Sequence, residues 1–424
     1  MAETKIIDNV LINDIAEWLS EEALREETSL GGIFDGTCKR LLAAGVPLAR
    51  GQVGFRTLHP LVGTVVLLWN EQDGCTVIPI SHDRKYAGWE GSPYEFLADN
   101  DVPHLRRRLV GEDAILDYSI LEGLRDNNGG TDYIAYLVPF CVKLPGEPMP
   151  DGIAGSWLTR RENGFTDTDI AALLRVGRRM ALAIKVLIKR EVTENIVHAY
   201  LGRDAGARVL DGSIQRGDHE KIHAVIWFSD MRRSTALAEE LEPAAFFDMV
   251  NRYFECTAGA VKDGGGEVLR FIGDAVLAIF TIGRGKAGVT KACKAAIKAA
   301  KDAERRCADA NAERAGAGLP LIEYGVGLHL GDVIYGNIGL PDRLEFSVIG
   351  AAANEAARLE GQTKVSGRRV IASRAFADNL DIDWDDLGDA ELAGVGEAMR
   401  LFAPRGLGYG PPPSTSVPPL VPAV

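Results

Sequence analysis

Asp230 and Asp274, 44 residues apart, stand where carboxylates can hold a metal. Residues 222–230, IHAVIWFSD, alternate as a strand does and end on Asp230. GGGEVLRFIGDAVLAIF reads as two strands joined at Ile-Gly-Asp, with Asp274 in the turn. Taken singly, an aspartate in a turn is a turn-former. Two carboxylates on rigid strand ends are a platform for Mg²⁺, which takes one or two carboxylates plus phosphate oxygens. That suits a nucleoside triphosphate held as its metal complex, where a metal pair activates the attacking oxygen and neutralises the leaving one. A later helix, opening near Ala351, carries Asn354 and Arg358 four residues apart and so on one face. An amide beside a guanidinium can orient a ribose and stabilise charge on a phosphate in transit. Asn-x-x-x-Arg alone is common, and its weight here comes from its order and spacing with the aspartates.

The elements that must position these residues follow from composition and pattern. At 424 residues the chain has room for two or three domains. Hydrophobic residues at 46% and charged residues at 25% are those of a soluble globular protein. With 47 basic and 60 acidic residues the formal charge is −13, which speaks against a nucleic-acid partner, since phosphate binding rests on clustered Lys and Arg. The longest apolar run, Leu61 to Trp69, is too short for a membrane helix and fits a buried strand. The start, MAETKIIDNV, has no signal-peptide pattern, and six scattered cysteines without a Cys-x-x-Cys pair fit a reduced, cytoplasmic setting.

Two breaks divide the chain: the Pro/Gly loop 144–155 and the Gly-rich, charged stretch 201–221. GPPPSTSVPPLVPAV, at the C-terminal end, reads as a disordered tail. Thr166 and Asp169 have capping-box-like spacing before a long helix. Leu173, Val176, Met180, Ala183 and Leu187 then follow at coiled-coil intervals. That seam either covers the helix's own domain or joins two protomers. The first half mixes helix and strand, with GTVVLLWN and TDYIAYLVPFCVKL as buried strands. In layout it looks like a GAF-type small-molecule sensor, without a diagnostic motif. Trp69, Tyr86, Trp89, Tyr94 and His104 could line its pocket, although such aromatics are more often core. Arg106, Arg107 and Arg108 read as a solvated face, as do Lys291, Lys294, Lys298 and Lys301 on an Ala-rich helix.

FSDMRRST, LRFIGDAVLAIF, GVGLHLGDVIYGNIG, FSVIGAAANEAARLE and LAGVGEAMRLFA, taken together over about 220 to 404, resemble the class III nucleotidyl cyclase catalytic domain. The resemblance implies an α+β architecture: a ferredoxin-like catalytic domain working as a head-to-tail homodimer, here preceded by the GAF-like α/β sensor and a connecting helix. The implied divisions are a sensor over 1–190, a transducer linker over 191–220, a catalytic domain over 221–404 and a tail over 405–424. Carried over, Asp230, Asp274 and the Met231 carbonyl would bind two Mg²⁺ or Mn²⁺ per site. Asn354 would position the ribose, and Arg358 would stabilise the pentavalent phosphorus. The reaction implied is attack of the ribose 3′-oxygen on the α-phosphate of ATP, giving 3′,5′-cyclic AMP and pyrophosphate. Arg270 and Ser347 fall at the purine-reading positions. Ser347 fits an adenylate subclass, whereas Arg270 stands where Lys is usual and is not its equivalent. Gly325 and Val395 replace basic residues common in the family, so Arg232 or Arg233 is expected to supply that charge to the substrate. An unknown small molecule would regulate the first half, with no nucleic acid or membrane partner. The alternatives are a lapsed cyclase domain serving as a nucleotide-sensing or interaction module, and a guanylate cyclase.

Overall fold

The computed structural model describes residues 9–84, 88–140, 151–394, 396 and 398–407. Tyr86, Cys141, Val395, the 144–155 loop as far as residue 150, and the tail from 408 lie outside the described residues. The chain divides into two compact units, Met1–Ile196 and Val197–Val424.

In the first unit, α1 (Asn9–Ala23) and α2 (Leu30–Ala43) precede β1 (Arg50–Arg56), β2 (Val62–Asn70) and β3 (Gly74–Ser81). Then come α3 (Pro93–Asp99), β4 (His104–Arg108), α4 (Ser119–Asp126), β5 (Asp132–Pro139), β6 (Gly152–Thr159) and α5 (Asp167–Leu201). The strands form one sheet in the order β3-β2-β1-β6-β5-β4. Residues 62–69 of the Leu61–Trp69 run fall in β2, which is partly buried, while Leu61 lies before the strand and is exposed.

One apolar cluster joins α1, α2, β1, β6 and α5, and includes Trp69 and Trp157. A second joins Trp89 and Tyr94 to Leu121, Leu124 and Tyr133. The aromatics take the core reading rather than the pocket: Trp69 lies in one core, Trp89 and Tyr94 in another, and His104 is exposed. The arginine triplet is not a solvated face either. Arg106 forks onto fully buried Asp132, Arg107 onto Asp117, and Arg108 donates to the Glu162 carbonyl.

Helix α5 begins with a reciprocal capping box: the Thr166 amide donates to Asp169 Oδ2, and the Asp169 amide donates to Thr166 Oγ1. Leu173, Val176, Met180, Ala183 and Leu187 are buried in their own unit. The seam thus covers its domain, and the apolar side chains α5 leaves exposed are Leu182, Val186, Ile196 and Tyr200.

The second unit opens with α6 (Arg203–Leu210) inside the stretch read as a Gly-rich break. β7 (His219–Met231), α7 (Ser234–Glu240), α8 (Pro243–Asp263), β8 (Glu267–Ile272), β9 (Ala275–Thr281) and α9 (Gly285–Gly316) follow. They lead to β10 (Tyr324–Leu340), β11 (Arg343–Ile349), α10 (Ala351–Ser366), β12 (Val370–Ser373), α11 (Arg374–Ala377), β13 (Trp384–Ala390) and β14 (Met399–Pro404). The sheet runs β13-β14-β12-β10-β7-β9-β8, with β11 paired to β10. Its centre is the antiparallel β7–β10 pair, in register from Met231 opposite Tyr324 to His219 opposite Gly336. Helices α8 and α9 cover one face through Met249, Tyr253, Cys293 and Ala296, and the lysine face of α9 is exposed opposite its buried alanines.

Candidate active site

The strand ends set the two aspartates. In the β7–β9 ladder Asp230 lies opposite Ala275, so Asp274, in the two-residue turn between β8 and β9, directly precedes its partner. Gly273 takes φ +62° in that turn, a left-handed conformation glycine adopts without strain. Beneath β7, Tyr253 of α8 donates its hydroxyl to buried Ser229, pinning the strand one residue before Asp230. Burial first, and the nearby Asp274 charge second, raise the Asp230 carboxyl above its ordinary pKa. Asp274 Oδ2 is buried with no hydrogen-bond partner among the described residues.

A buried, unpartnered carboxylate oxygen beside a second carboxylate fits a cation, which would satisfy both. Among the described residues no cluster of three or more His, Cys, Asp or Glu could hold a metal. Asp230 and Asp274 would therefore hold Mg²⁺ or Mn²⁺ only with further oxygens, from the Met231 carbonyl, water or a ligand's phosphates.

Arg232 does not face that platform freely. Its Nη1 lies 3.0 Å from Glu360 Oε1, its Nη2 donates to Thr363 Oγ1, and both charged side chains are largely buried. Gly325 makes this possible: a Cβ there would fall 2.6 Å from Glu360 Oε1 and collide with Arg232 and Thr363. The position without a basic side chain is thus the space that Arg232 fills. Arg233, left-handed at φ +59°, caps the start of α7 and points outward, 68% exposed, 3.5 Å from Glu240. Neither position supports the expectation that Arg232 or Arg233 meets the substrate.

Asn354 and Arg358 are exposed on α10. The same helix brings a residue that the sequence reading missed: Lys364 Nζ lies 3.4 Å from Asp230 Oδ2. Six residues past Arg358, Lys364 is turned about 240° around the axis and about 9 Å along it, while Asn354 is about 15 Å away along α10. The helix end that touches Asp230 is therefore not the part that carries Asn354 and Arg358. No sequence motif marks Lys364, and only the packing of α10 against β7 reveals it.

Arg270 and Ser347 come together at the other edge of the unit, on β8 and β11. Arg270 Nε pairs with Glu345 Oε1 at 2.9 Å, and Glu345 is two residues from Ser347, so both share a strand face. The Arg270 guanidinium is thus already engaged by a carboxylate.

Residues 217–403 match the family model of the adenylate and guanylate cyclase catalytic domain. An adenylate cyclase of Anabaena cylindrica is 32% identical over 168 residues, 40% of this chain and 33% of that protein. An uncharacterized protein of Mycobacterium tuberculosis is 29% identical over 244 residues, 57% of this chain and 40% of that protein. The chain thus spans a third to two fifths of the length of these relatives. Among solved structures, the adenylyl cyclase CyaB of P. aeruginosa is 23% identical with a TM-score of 0.39, covering 44% of this chain and 95% of that one. The guanylyl cyclase Cya2 is 25% identical with a TM-score of 0.38, covering 46% of this chain and 96% of that one.

Proposed function

We propose that this chain, whose residues 217–403 are an adenylate and guanylate cyclase catalytic domain, converts ATP to 3′,5′-cyclic AMP and pyrophosphate. The observation that carries the reading is the strand-end pair Asp230 and Asp274, with one carboxylate oxygen buried and unpartnered. Bound there, two Mg²⁺ or Mn²⁺ ions would offset the triphosphate charge and acidify the ribose 3′-hydroxyl. Asp230 and Asp274, with the Met231 carbonyl, would hold those ions. Asn354 fixes the ribose so that its 3′-oxygen lies in line with the α-phosphorus, and Arg358 donates to the phosphoryl oxygens as charge builds on them. The 3′-hydroxyl gives its proton to solvent water, and its oxygen bonds to the α-phosphorus as the bond to the bridging pyrophosphate oxygen breaks. Because Asn354 and Arg358 lie about 15 and 9 Å along α10 from the end that touches Asp230, a second copy supplies them to each site. Exposed Ile334, Ile338, Leu340 and Ile349 on β10 and β11, and Leu182, Val186, Ile196 and Tyr200 on α5, support a homodimer.

Adenine is preferred on Ser347 and on the likeness to an adenylate cyclase. The Glu345 carboxylate beside Arg270 keeps GTP as the second substrate to test. The first unit, a six-stranded sheet with its own cores, serves as a GAF-like sensor for a small molecule.

The test is incubation of the purified chain with ATP or GTP and Mn²⁺, followed by mass spectrometry for cyclic product. Cyclic AMP from the wild type and none from Asp274→Ala is expected. Cyclic GMP alone would reverse the base assignment, and product from Asp274→Ala would sink the site.

A further inference from the structure

Two divalent ions would bring +4, but Asp230 and Asp274 bring −2, so with a triphosphate of −4 the site keeps about −2 for protein cations to meet, and the cations beside the aspartates differ in what they can offer. Gly325 supplies none. Arg232 is held in the interior by Glu360 and Thr363, and Arg233 points into solvent towards Glu240. Lys364 is different: its ammonium lies 3.4 Å from Asp230 Oδ2, on a side chain 53% exposed. Its carboxylate partner is a proposed metal ligand.

From this geometry we infer that Lys364 is a substrate-binding residue, which contacts the polyphosphate of the nucleotide at the site formed by its own chain's Asp230 and Asp274. The inference rests on the cyclase reading above. A half-exposed Lys–Asp contact at 3.4 Å is weak and readily exchanged. Once a divalent cation occupies Asp230, the carboxylate is engaged and the ammonium faces a like charge. The anion then within its reach is the phosphate chain that arrives with the metal. Lysine suits this exchange, because its point charge and three donors ride on a flexible stem. A basic residue in the last turn of α10 also favours the helix dipole, but that role requires no contact with Asp230.

Its position on α10 separates the two roles of that helix. Arg358 faces one direction, for the site to which the partner contributes aspartates. Lys364, about 240° round, faces the chain's own aspartates.

The experiment compares wild type, Lys364→Ala and Lys364→Arg by calorimetric binding of 3′-deoxy-ATP, which lacks the attacking hydroxyl, in Mn²⁺. Binding of adenosine and steady-state kinetics with ATP accompany it. Loss of a charge-assisted phosphate contact in Lys364→Ala is expected to weaken 3′-deoxy-ATP by roughly tenfold to a hundredfold. KM for ATP should rise in step, kcat should change little, adenosine binding should hold, and Lys364→Arg should recover most of the loss. If Lys364 only counterbalances Asp230, Lys364→Ala will bind Mn²⁺ more tightly and leave 3′-deoxy-ATP affinity within twofold, which overturns the inference. A wild type that binds 3′-deoxy-ATP through Lys364 yet forms no cyclic product from ATP or GTP overturns the cyclase reading instead.

Discussion

Arg232 and Arg233 are neighbours with opposite fates, and the difference is burial. Arg232 pairs with Glu360 where both side chains are nearly out of water, 15% and 4% exposed. Removing one partner of such a pair leaves a buried charge uncompensated, at a cost of about 3–5 kcal/mol. Burial first, with the Arg232 charge opposing it, already raises the Glu360 carboxyl above its ordinary value. Arg232→Ala is therefore expected to lower the melting temperature by several degrees or more, whereas Arg233→Ala stays within about 0.5 kcal/mol of wild type. Calorimetry of both variants checks this, and equal melting temperatures would contradict it. The two aspartates were legible in the sequence because a strand end and a hairpin turn are local patterns. The pairings of Arg232 and Lys364 were not legible, because their partners lie 128 and 134 residues away, and Gly325 vacates space that no local pattern reveals.

At the scale of elements, the decisive contact is α10 on β10. A Cβ on Gly327 would stand 2.6 Å from the Glu360 amide nitrogen and against the Ala356 carbonyl, so the helix backbone rests directly on the strand. Gly327→Ala should push α10 outward, destabilising the unit by about 1–3 kcal/mol. It should also cut kcat at least tenfold, because sub-ångström misplacement of Arg358 is magnified in the rate. The second anchor is His329 on β10, whose Nε2 lies 2.8 Å from Glu355 Oε2 and whose Nδ1 lies 2.9 Å from Ser373 Oγ. Burial lowers its pKa to about 4, with His223 adding in the same direction. The imidazole is thus neutral at pH 7, donating from Nε2 and accepting at Nδ1. Between pH 6.5 and about 4 the unfolded chain binds a proton that the folded one does not. This histidine's contribution is therefore whole above 6.5 and falls with pH by about 1.4 kcal/mol per unit across that window. Denaturant melts of wild type and His329→Gln at pH 7 and 5 should show the larger loss in wild type. Strands and caps of this fold were legible from alternation and spacing, the Thr166–Asp169 box included. The destination of the α5 seam was not, since heptad spacing looks the same whether it packs on its own sheet or on another chain.

For the whole molecule, the proposed site, with Asp230 separated along α10 from Asn354 and Arg358, predicts that activity requires assembly. Asp274→Ala and Arg358→Ala proteins should each be inactive alone. Mixed and allowed to exchange, half the dimers carry one variant of each kind and one intact site, so about a quarter of wild-type activity should return. No recovery on mixing, or a strict monomer by light scattering, would contradict the shared site.

The opposed faces of α10 have one more consequence. In the proposed symmetric pair each copy of this helix belongs to both reaction centres, Lys364 at one and Arg358 at the other, with its backbone resting on β10 at Gly327. Occupancy of one centre is then expected to be felt at the other, as cooperativity carried by a single rigid rod, with nucleotide titrations departing from independent-site curves by a coupling of about 1–3 kcal/mol.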